Sequence, residues 1–335
     1  MTTLAFAGAG WISAVHALAA QALGLPVTHV ASRSPTRAEE RARQLGGRVV
    51  SYEALPAGAD VVVIATPPSR HAADALRSLA AGATVLVEKP LCCTLAQADA
   101  LVAGADDRLV YAENLAFAPV IERAVGLIAG LGPLDHLEVR SMQGRPDWGD
   151  FLTAGWGGGA LFDLGVHPLA VALLAATPAA VVEVRATLDG ADDIDVDEHA
   201  EVELRFDSGL VGSVVASWRE TSPVWDLQAA SSTSVVRAEL IPAITLEHDG
   251  EVIDLPAPRE GVIPQLEAFG YIDQLQAAVD ASNGEPSIMD AEFGRLVLDV
   301  VCAAYASAAR GGDGITVPFQ GPRDRTPLEL WRGRS

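Results

Sequence analysis

Leu4-Ala5-Phe6-Ala7-Gly8-Ala9-Gly10-Trp11-Ile12-Ser13-Ala14-Val15-His16 places an apolar strand, a glycine turn and a helix in immediate succession. The four residues before Gly8 read as a buried strand, and the spacing over residues 12–23 is helical. Gly8 permits the tight turn, and Gly10 lets a pyrophosphate approach the backbone where the helix begins. The third small position of such a turn usually holds Gly or Ala; here Ser13 fills it. A lone glycine turn is weak evidence, since such turns also serve structure alone. Inside a strand–helix–strand unit it points to a dinucleotide, with Gly8, Gly10, Trp11 and Ile12 beside it.

The pattern repeats outward from this point. Residues 27–32, 49–52, 60–66, 84–88 and 109–113 read as strands, and residues 35–45, 70–80 and 95–103 as helices between them. Continuously apolar strands such as Val61-Val62-Val63-Ile64 suit a parallel sheet covered on both faces. The alternation predicts an α/β, doubly wound Rossmann domain over residues 1–117. Beyond it, residues 119–130 and 161–176 read as helices, 134–141 as a strand and 145–159 as a Gly- and Trp-rich loop. A period of two from 180 to 255 predicts a large, mostly antiparallel open sheet with one buried face. Helices at 264–283 and 290–309 and a short strand at 315–319 complete a second α/β domain, residues 118–335.

Composition limits the function. The 335 residues carry 23 Lys+Arg against 44 Asp+Glu, a formal charge of −21, which argues against nucleic acid or an anionic membrane as partner. Cys92, Cys93 and Cys302 are too few and too poorly spaced for a disulfide framework or a zinc site, and the expectation is a reduced, cytoplasmic protein. The apolar N-terminus lacks the basic region of a signal peptide and is broken by Gly8, Gly10, Trp11 and His16. No run reaches the ~18 apolar residues of a membrane span. Asp193, Asp195 and Asp197 alternate like the start of a calcium loop, but Glu198 and Leu204 occupy positions that need Gly and a ligand. The expectation there is a solvated strand face and no metal.

Four further stretches carry chemistry. After the second strand, Ser32, Arg33 and Arg37 stand where an NAD-specific site carries an acid for the ribose 2′-hydroxyl. A guanidinium can take a 2′-phosphate bidentately, so NADP is expected over NAD; the competing reading is two solvated arginines. Thr66-Pro67-Pro68-Ser69-Arg70-His71 leaves the fourth strand at the sheet edge where ligands lie, and His71 reads either as a cofactor neighbour or as a helix-surface residue. Glu88-Lys89-Pro90 ends the fifth strand at the same edge. Of the 23 basic residues, 22 are arginine and Lys89 is the one lysine, a compact donor able to stabilise alkoxide charge. Last, Gly157-Gly158-Gly159-Ala160-Leu161-Phe162-Asp163-Leu164-Gly165-Val166-His167 sets Asp163 and His167 four apart. On one helix they share a face, and the carboxylate can orient the imidazole for proton transfer, though Pro168 opposes a helix already under way. A plain surface pair is the competing reading.

Gly8-x-Gly10-x-x-Ser13-x-x-His16, Thr66-Pro67-Pro68-x-x-His71, Glu88-Lys89-Pro90 and Gly159-x-x-x-Asp163-x-Gly165-x-His167 together resemble the glucose–fructose oxidoreductase, inositol dehydrogenase and MocA-like family (Gfo/Idh/MocA). The likeness runs through Ala304-Tyr305-Ala306-Ser307 and the 315–319 ending. It implies a Rossmann domain joined to an α/β domain whose open sheet mediates assembly, hence a homodimer or homotetramer. It also implies NAD(P)-dependent oxidation of a secondary alcohol, or reduction of the ketone, on a sugar or cyclitol. Carried onto this chain, Lys89 polarises the reacting oxygen, His167 is the acid/base and Asp163 orients substrate and base. Thr66, Pro67, His71, Glu88, Lys89 and Asn114 join the cofactor set. Family members often carry a basic residue just after Asn114, and Leu115-Ala116-Phe117 offers none. Arg145, Trp148 and Trp156 are the candidates to line a sugar pocket, with core packing as the rival explanation for the tryptophans. A catalytically silent relative that binds cofactor and ligand to regulate a partner is the alternative; such a protein is expected to have lost the lysine or the histidine.

Overall fold

The computed structural model describes residues 1–333. The chain forms two compact units. Met1–Cys92, Ala96–Phe117 and Pro258–Arg295 make the first; Cys93–Leu95, Ala118–Ala257 and the chain from Leu296 onward make the second. Residues 258–295 therefore fold with the first unit, although the sequence reading assigned everything after 117 to the second. The reason is the helix Tyr271–Ser282, which buries Ile272, Leu275, Ala278 and Val279 and packs on the parallel sheet and on the helix Trp11–Ala22.

The first unit holds six strands: β1 (Leu4–Ala7), β2 (Val27–Ala31), β3 (Arg48–Val49), β4 (Val61–Ile64), β5 (Thr84–Glu88) and β6 (Leu109–Ala112). Their order is β3-β2-β1-β4-β5-β6 and every pairing is parallel. β1, β4, β5 and β6 are buried throughout, as the apolar runs require. The strand expected over 49–52 shrinks to Arg48–Val49, an exposed edge pair held only by β2. Order reverses at β1, between β2 and β4. In such sheets the crevice at the carboxyl ends beside the reversal binds ligands. Gly8, Ser32, Thr66 and Lys89 directly follow β1, β2, β4 and β5 or lie within two residues of them.

The second unit carries nine strands: β7 (His136–Gly144), β8 (Val181–Asp189), β9 (His199–Phe206), β10 (Val211–Ser217), β11 (Arg219–Ala230), β12 (Val235–Ile241), β13 (Thr245–His248), β14 (Glu251–Val252) and β15 (Ile315–Thr316). They lie in the order β14-β13-β12-β11-β7-β10-β9-β8-β15. β7 and β10 run parallel; the other pairings are antiparallel. β9 shows why one face is buried: Ala200, Val202, Leu204 and Phe206 point inward while Glu201 and Arg205 face out. The helices Val166–Ala176 and Pro119–Ile128 cover the inner face.

Three helical readings change. The helix expected over 161–176 is two helices, Ala160–Asp163 and Val166–Ala176, broken at Leu164 and Gly165. Starting afresh at Val166 puts Pro168 in a first turn, where its missing N–H is harmless. The helix expected over 264–283 breaks at Gly270, whose φ is +76°, into Pro264–Ala268 and Tyr271–Ser282. A final helix, Pro327–Arg332, was not anticipated, although Thr326 and Glu329 form a capping box legible in the sequence. Among the described residues no single helix is long and apolar enough to cross a membrane.

Candidate active site

In the first unit the glycine turn has two different requirements. Gly8 has φ +108°, and a Cβ there would stand 2.2 Å from the Ala65 carbonyl oxygen. Only glycine fits. A Cβ on Gly10 would meet nothing within 4 Å, so the space beside it is open. Gly10 is also the N-cap of the helix Trp11–Ala22, which has no side-chain cap and no acid in its first turn. The first N–H groups of a twelve-residue helix thus stand at an open glycine, a cradle that fits a dinucleotide pyrophosphate. Trp11 is 66% exposed beside it, Ile12 is half-buried, and Ser13 is buried in close packing. Arg41, which sequence reasoning passed over, aims Nη2 at the Gly10 carbonyl at 3.4 Å. It lies one turn beyond Arg37, a spacing that could have revealed it.

Beyond β2 the local hydrogen bonds explain a rigid loop. Ser32 Oγ accepts from Ser34 N at 3.2 Å, and Ser34 Oγ caps the next helix through Arg37 N at 3.4 Å. Arg33 and Arg37 are exposed, and no carboxylate follows β2 before residue 39. Beyond β4, Thr66 Oγ1 donates to the buried Asp74 at 3.3 Å, and Asp74 also takes Arg70 and Arg77 at 2.8 and 2.9 Å. The Arg70 guanidinium lies 4.3 Å from the centre of the Tyr52 ring. Pro67 caps the helix that carries His71.

His71 is not a helix-surface residue: it is 1% exposed. Its Nε2 lies 2.7 Å from the Thr66 carbonyl oxygen and its Nδ1 2.9 Å from that of Pro90. Two acceptors call for a doubly protonated ring, and burial opposes this. Burial pushes the His71 pKa down, against the pull of the Thr66 and Pro90 carbonyls and of Glu88. Glu88 is also internal. Its Oε1 accepts from His16 Nε2 at 2.7 Å and its Oε2 from the Lys89 backbone N–H at 3.0 Å. Burial presses the Glu88 carboxyl up, but the His16 hydrogen bond and the charges of His16, Lys89 and His71 together outweigh it, and the pKa lies below the usual carboxylate range. Lys89 itself is half-buried. Asn114 begins a 3-10 turn and spends its amide on the Phe269 carbonyl at 2.7 Å.

In the second unit the glycine-rich segment is fixed rather than flexible. Gly159 N donates to Asp197 Oδ1 at 2.9 Å and to the Tyr305 hydroxyl oxygen at 3.0 Å, and Leu161 N donates to Asp197 Oδ2 at 2.9 Å. The Tyr305 hydroxyl closes the group by donating to Asp197. A Cβ on Gly159 would stand 2.1 Å from the Asp197 carbonyl oxygen. The expectation of a solvated face at 193–197 therefore fails for Asp197, which is fully buried in a loop and serves as an acceptor for the helix start. Asp163 sits at the end of the short helix, half-buried. Because the helix breaks, His167 N bonds to Leu164 O at 3.2 Å, and the continuous turn meant to stack Asp163 under His167 is not formed. His167 is 5% exposed, and its ring meets that of Trp225 at 5.5 Å with an interplanar angle of 35°.

Trp225 was missed because it lies in a strand whose alternation lapses. The β11 register slips between Trp225 and Asp226 against β12, and between Arg219 and Val224 against β7. Such bulges re-aim side chains. Arg145 is tied down: Nε donates to Glu198 Oε1 at 2.7 Å and Nη1 to Asp193 at 2.8 Å. Trp148 is 53% exposed and packs edge-on to Phe151 at 6.0 Å, while Trp156 lies 4.4 Å from the same ring. Phe151 in turn packs on the cluster of Ala160, Leu164, Val196, Trp218 and Leu328.

A β3-β2-β1-β4-β5-β6 parallel sheet with an uncapped helix start at an open glycine defines a dinucleotide-binding domain of the Rossmann class. Residues 2–112 match the oxidoreductase family GFO_IDH_MocA, NAD-binding Rossmann fold, and residues 129–230 match the GFO/IDH/MocA C-terminal domain. The chain belongs to this family. An uncharacterized oxidoreductase, ORF334 of Rhizobium meliloti, is 33% identical over 86% of this chain and 90% of its own length. A putative UDP-kanosamine synthase oxidoreductase subunit from Amycolatopsis mediterranei (strain S699) is 28% identical over 75% of this chain and 80% of its own. The structure of GenD2 from gentamicin A biosynthesis, in complex with NAD, superposes with a TM-score of 0.82 at 27% identity, covering 94% of this chain and 96% of that one.

Proposed function

We propose that the protein transfers a hydride between NADP and a secondary alcohol or ketone of a sugar, ketosugar or cyclitol. The observation that carries this reading is the open, uncapped cradle at Gly10 on the sheet edge where the chain's one lysine follows β5. Bound NAD(P) supplies the hydride acceptor or donor. Lys89 donates a hydrogen bond to the reacting oxygen and stabilises the charge that develops there. His167 takes the hydroxyl proton in oxidation and returns it in reduction, and Asp163 orients the substrate. Gly8, Gly10, Trp11, Ile12, Thr66 and Pro67 hold the dinucleotide. Ser32, Arg33 and Arg37, with no acid among them, favour the 2′-phosphate of NADP over NAD.

A sugar-type substrate is supported by the names of the relatives and by the Trp225 ring against His167, since an indole face suits the apolar face of a pyranose. Arg145, engaged by Glu198 and Asp193, is a weaker substrate contact than the sequence suggested. The reading includes a homodimer or homotetramer built on the open sheet and a cytoplasmic location. The test is NADPH oxidation with a panel of 3-ketosugars, inososes and nucleotide-linked ketosugars. Turnover with one of them supports an enzyme. Binding of cofactor and ligand without turnover favours the silent, regulatory relative. A higher kcat/KM with NADH than with NADPH overturns the cofactor preference, and Arg33→Ala should lower kcat/KM for NADPH by ~10-fold or more while sparing NADH.

A further inference from the structure

Lys89 is flanked on both sides by buried ionisable side chains whose polar atoms all turn toward protein. Before it, Glu88 is 5% exposed; one carboxylate oxygen accepts from His16 at 2.7 Å and the other from the Lys89 backbone N–H at 3.0 Å. After it, the Pro90 carbonyl faces His71 Nδ1 at 2.9 Å, and His71 Nε2 reaches back to the Thr66 carbonyl at 2.7 Å. His16 is fully buried in the helix that begins at Gly10, and its ring meets that of Tyr271 edge-on at 6.2 Å. The peptide group before Lys89 is thereby tied to the helix behind the glycine turn, and the one after Pro90 to the loop after β4. None of Glu88, His16 or His71 presents a free face to solvent.

We propose that Glu88, His16 and His71 are positioning residues, a buried frame that fixes the Lys89 backbone and so aims its side chain. The frame ties three cofactor-edge segments, at residues 8–16, 66–71 and 88–90, into one rigid unit. A side chain with four rotatable bonds can deliver an ammonium to a defined point only from a defined root, and the frame fixes that root at the Lys89 Cα. Misplacing such a donor by an ångström costs on the order of 10²-fold in rate. The same arrangement assigns Glu88 and His71 to Lys89 rather than to direct contact with the dinucleotide.

The inference rests on Lys89 acting on the substrate, and the experiments separate the two. Lys89→Met tests that reading alone; wild-type kcat in this variant removes the role of Lys89 without touching the frame. The frame is tested first on the wild-type holoenzyme by amide hydrogen exchange. The Lys89 N–H should exchange far more slowly than an unstructured amide, and an unprotected rate overturns the proposal. Next, Glu88→Gln keeps an oxygen for the Lys89 N–H, whereas Glu88→Ala removes it. The expected result is kcat within ~5-fold of wild type for Glu88→Gln and ~100-fold lower for Glu88→Ala, with KM for NADPH little changed in both. His71→Ala should show the same split, a lower kcat at constant cofactor KM. Equal losses in Glu88→Gln and Glu88→Ala, or losses confined to cofactor KM, overturn it. If Glu88→Ala does not fold, the wild-type exchange rate and the Glu88→Gln kcat decide.

Discussion

Asp197 and Tyr305 close on the same backbone amide: Gly159 N donates to a carboxylate oxygen at 2.9 Å and to the tyrosine oxygen at 3.0 Å, while the tyrosine hydroxyl donates to that carboxylate. Both side chains are fully buried, so the group forms a polar knot at the start of the helix that carries Asp163. Removing the carboxylate strands two donors at once, from Leu161 and Tyr305, while Gly159 N keeps the tyrosine oxygen. A buried donor left unsatisfied costs about 1–3 kcal/mol. Asp197→Ala should therefore lose at least about 2 kcal/mol in denaturant unfolding, and Tyr305→Phe about 1 kcal/mol. A Tyr305→Phe variant as damaged as Asp197→Ala would show that the carboxylate is not the centre of the knot.

Gly8 and Gly10 separate stability from binding. A Cβ at Gly8 meets the Ala65 backbone at 2.2 Å and would force φ out of +108°; a Cβ at Gly10 meets no protein atom within 4 Å. Gly8→Ala should lower Tm and weaken NADPH binding together. Gly10→Ala should leave the apo Tm near wild type yet weaken NADPH at least ~10-fold, because its methyl group occupies the space the pyrophosphate needs. Thermal melts and a fluorescence titration of each variant measure both quantities. Unchanged affinity in Gly10→Ala would move the cofactor away from the glycine turn.

The first unit was legible because a parallel sheet writes itself in apolar runs and glycine turns, both local signals. β1, β4 and β5 start or end within a residue or two of their expected places. What escaped was non-local. Nothing in the spacing of Asp193, Asp195 and Asp197 distinguishes the exposed ion-pair partner of Arg145 from the buried acceptor of Gly159, since burial is decided by Tyr305, more than a hundred residues away. The affiliation of residues 258–295 with the first unit is likewise a packing result, carried by Ile272, Leu275 and Val279. Trp225 was hidden by register slips that a period of two cannot register. Pro168, by contrast, was a correct warning: the helix does break before it.

Glu88 makes a pH-dependent contribution with a definite sign. Burial pushes its pKa up, the hydrogen bond of His16 and the charges of His16, Lys89 and His71 together push it down harder, and the net is below the usual value. A carboxyl whose pKa is depressed on folding adds stability above its unfolded pKa, about 4.3, and loses it as pH falls through the folded value. Glu88→Gln should therefore be less stable than wild type at pH 6–8, with the gap closing below about pH 4. Thermal melts of both proteins across that range check it. A gap of constant size down to the acid limit of folding would mean that the pair contributes shape but no charge.

The contact between His167 and Trp225, with ring centroids 5.5 Å apart, fixes one side of the imidazole against the inner face of the sheet. On that face Leu227 and Ala229 are buried, and Trp225 continues their alternation up to the bulge. An aromatic pair of this kind is worth about 0.5–1.5 kcal/mol beyond the area it buries. If His167 moves the proton, Trp225→Ala should lower kcat for the sugar ~10-fold and shift the pH dependence of kcat, because the ring loses its wall and gains water. Trp225→Phe keeps a flat apolar surface and should recover most of the rate. Affinity for NADPH should be unchanged in both, since the glycine turn lies in the other unit. A Trp225→Ala enzyme with the wild-type pH profile would show that the indole supports the fold and not the proton transfer.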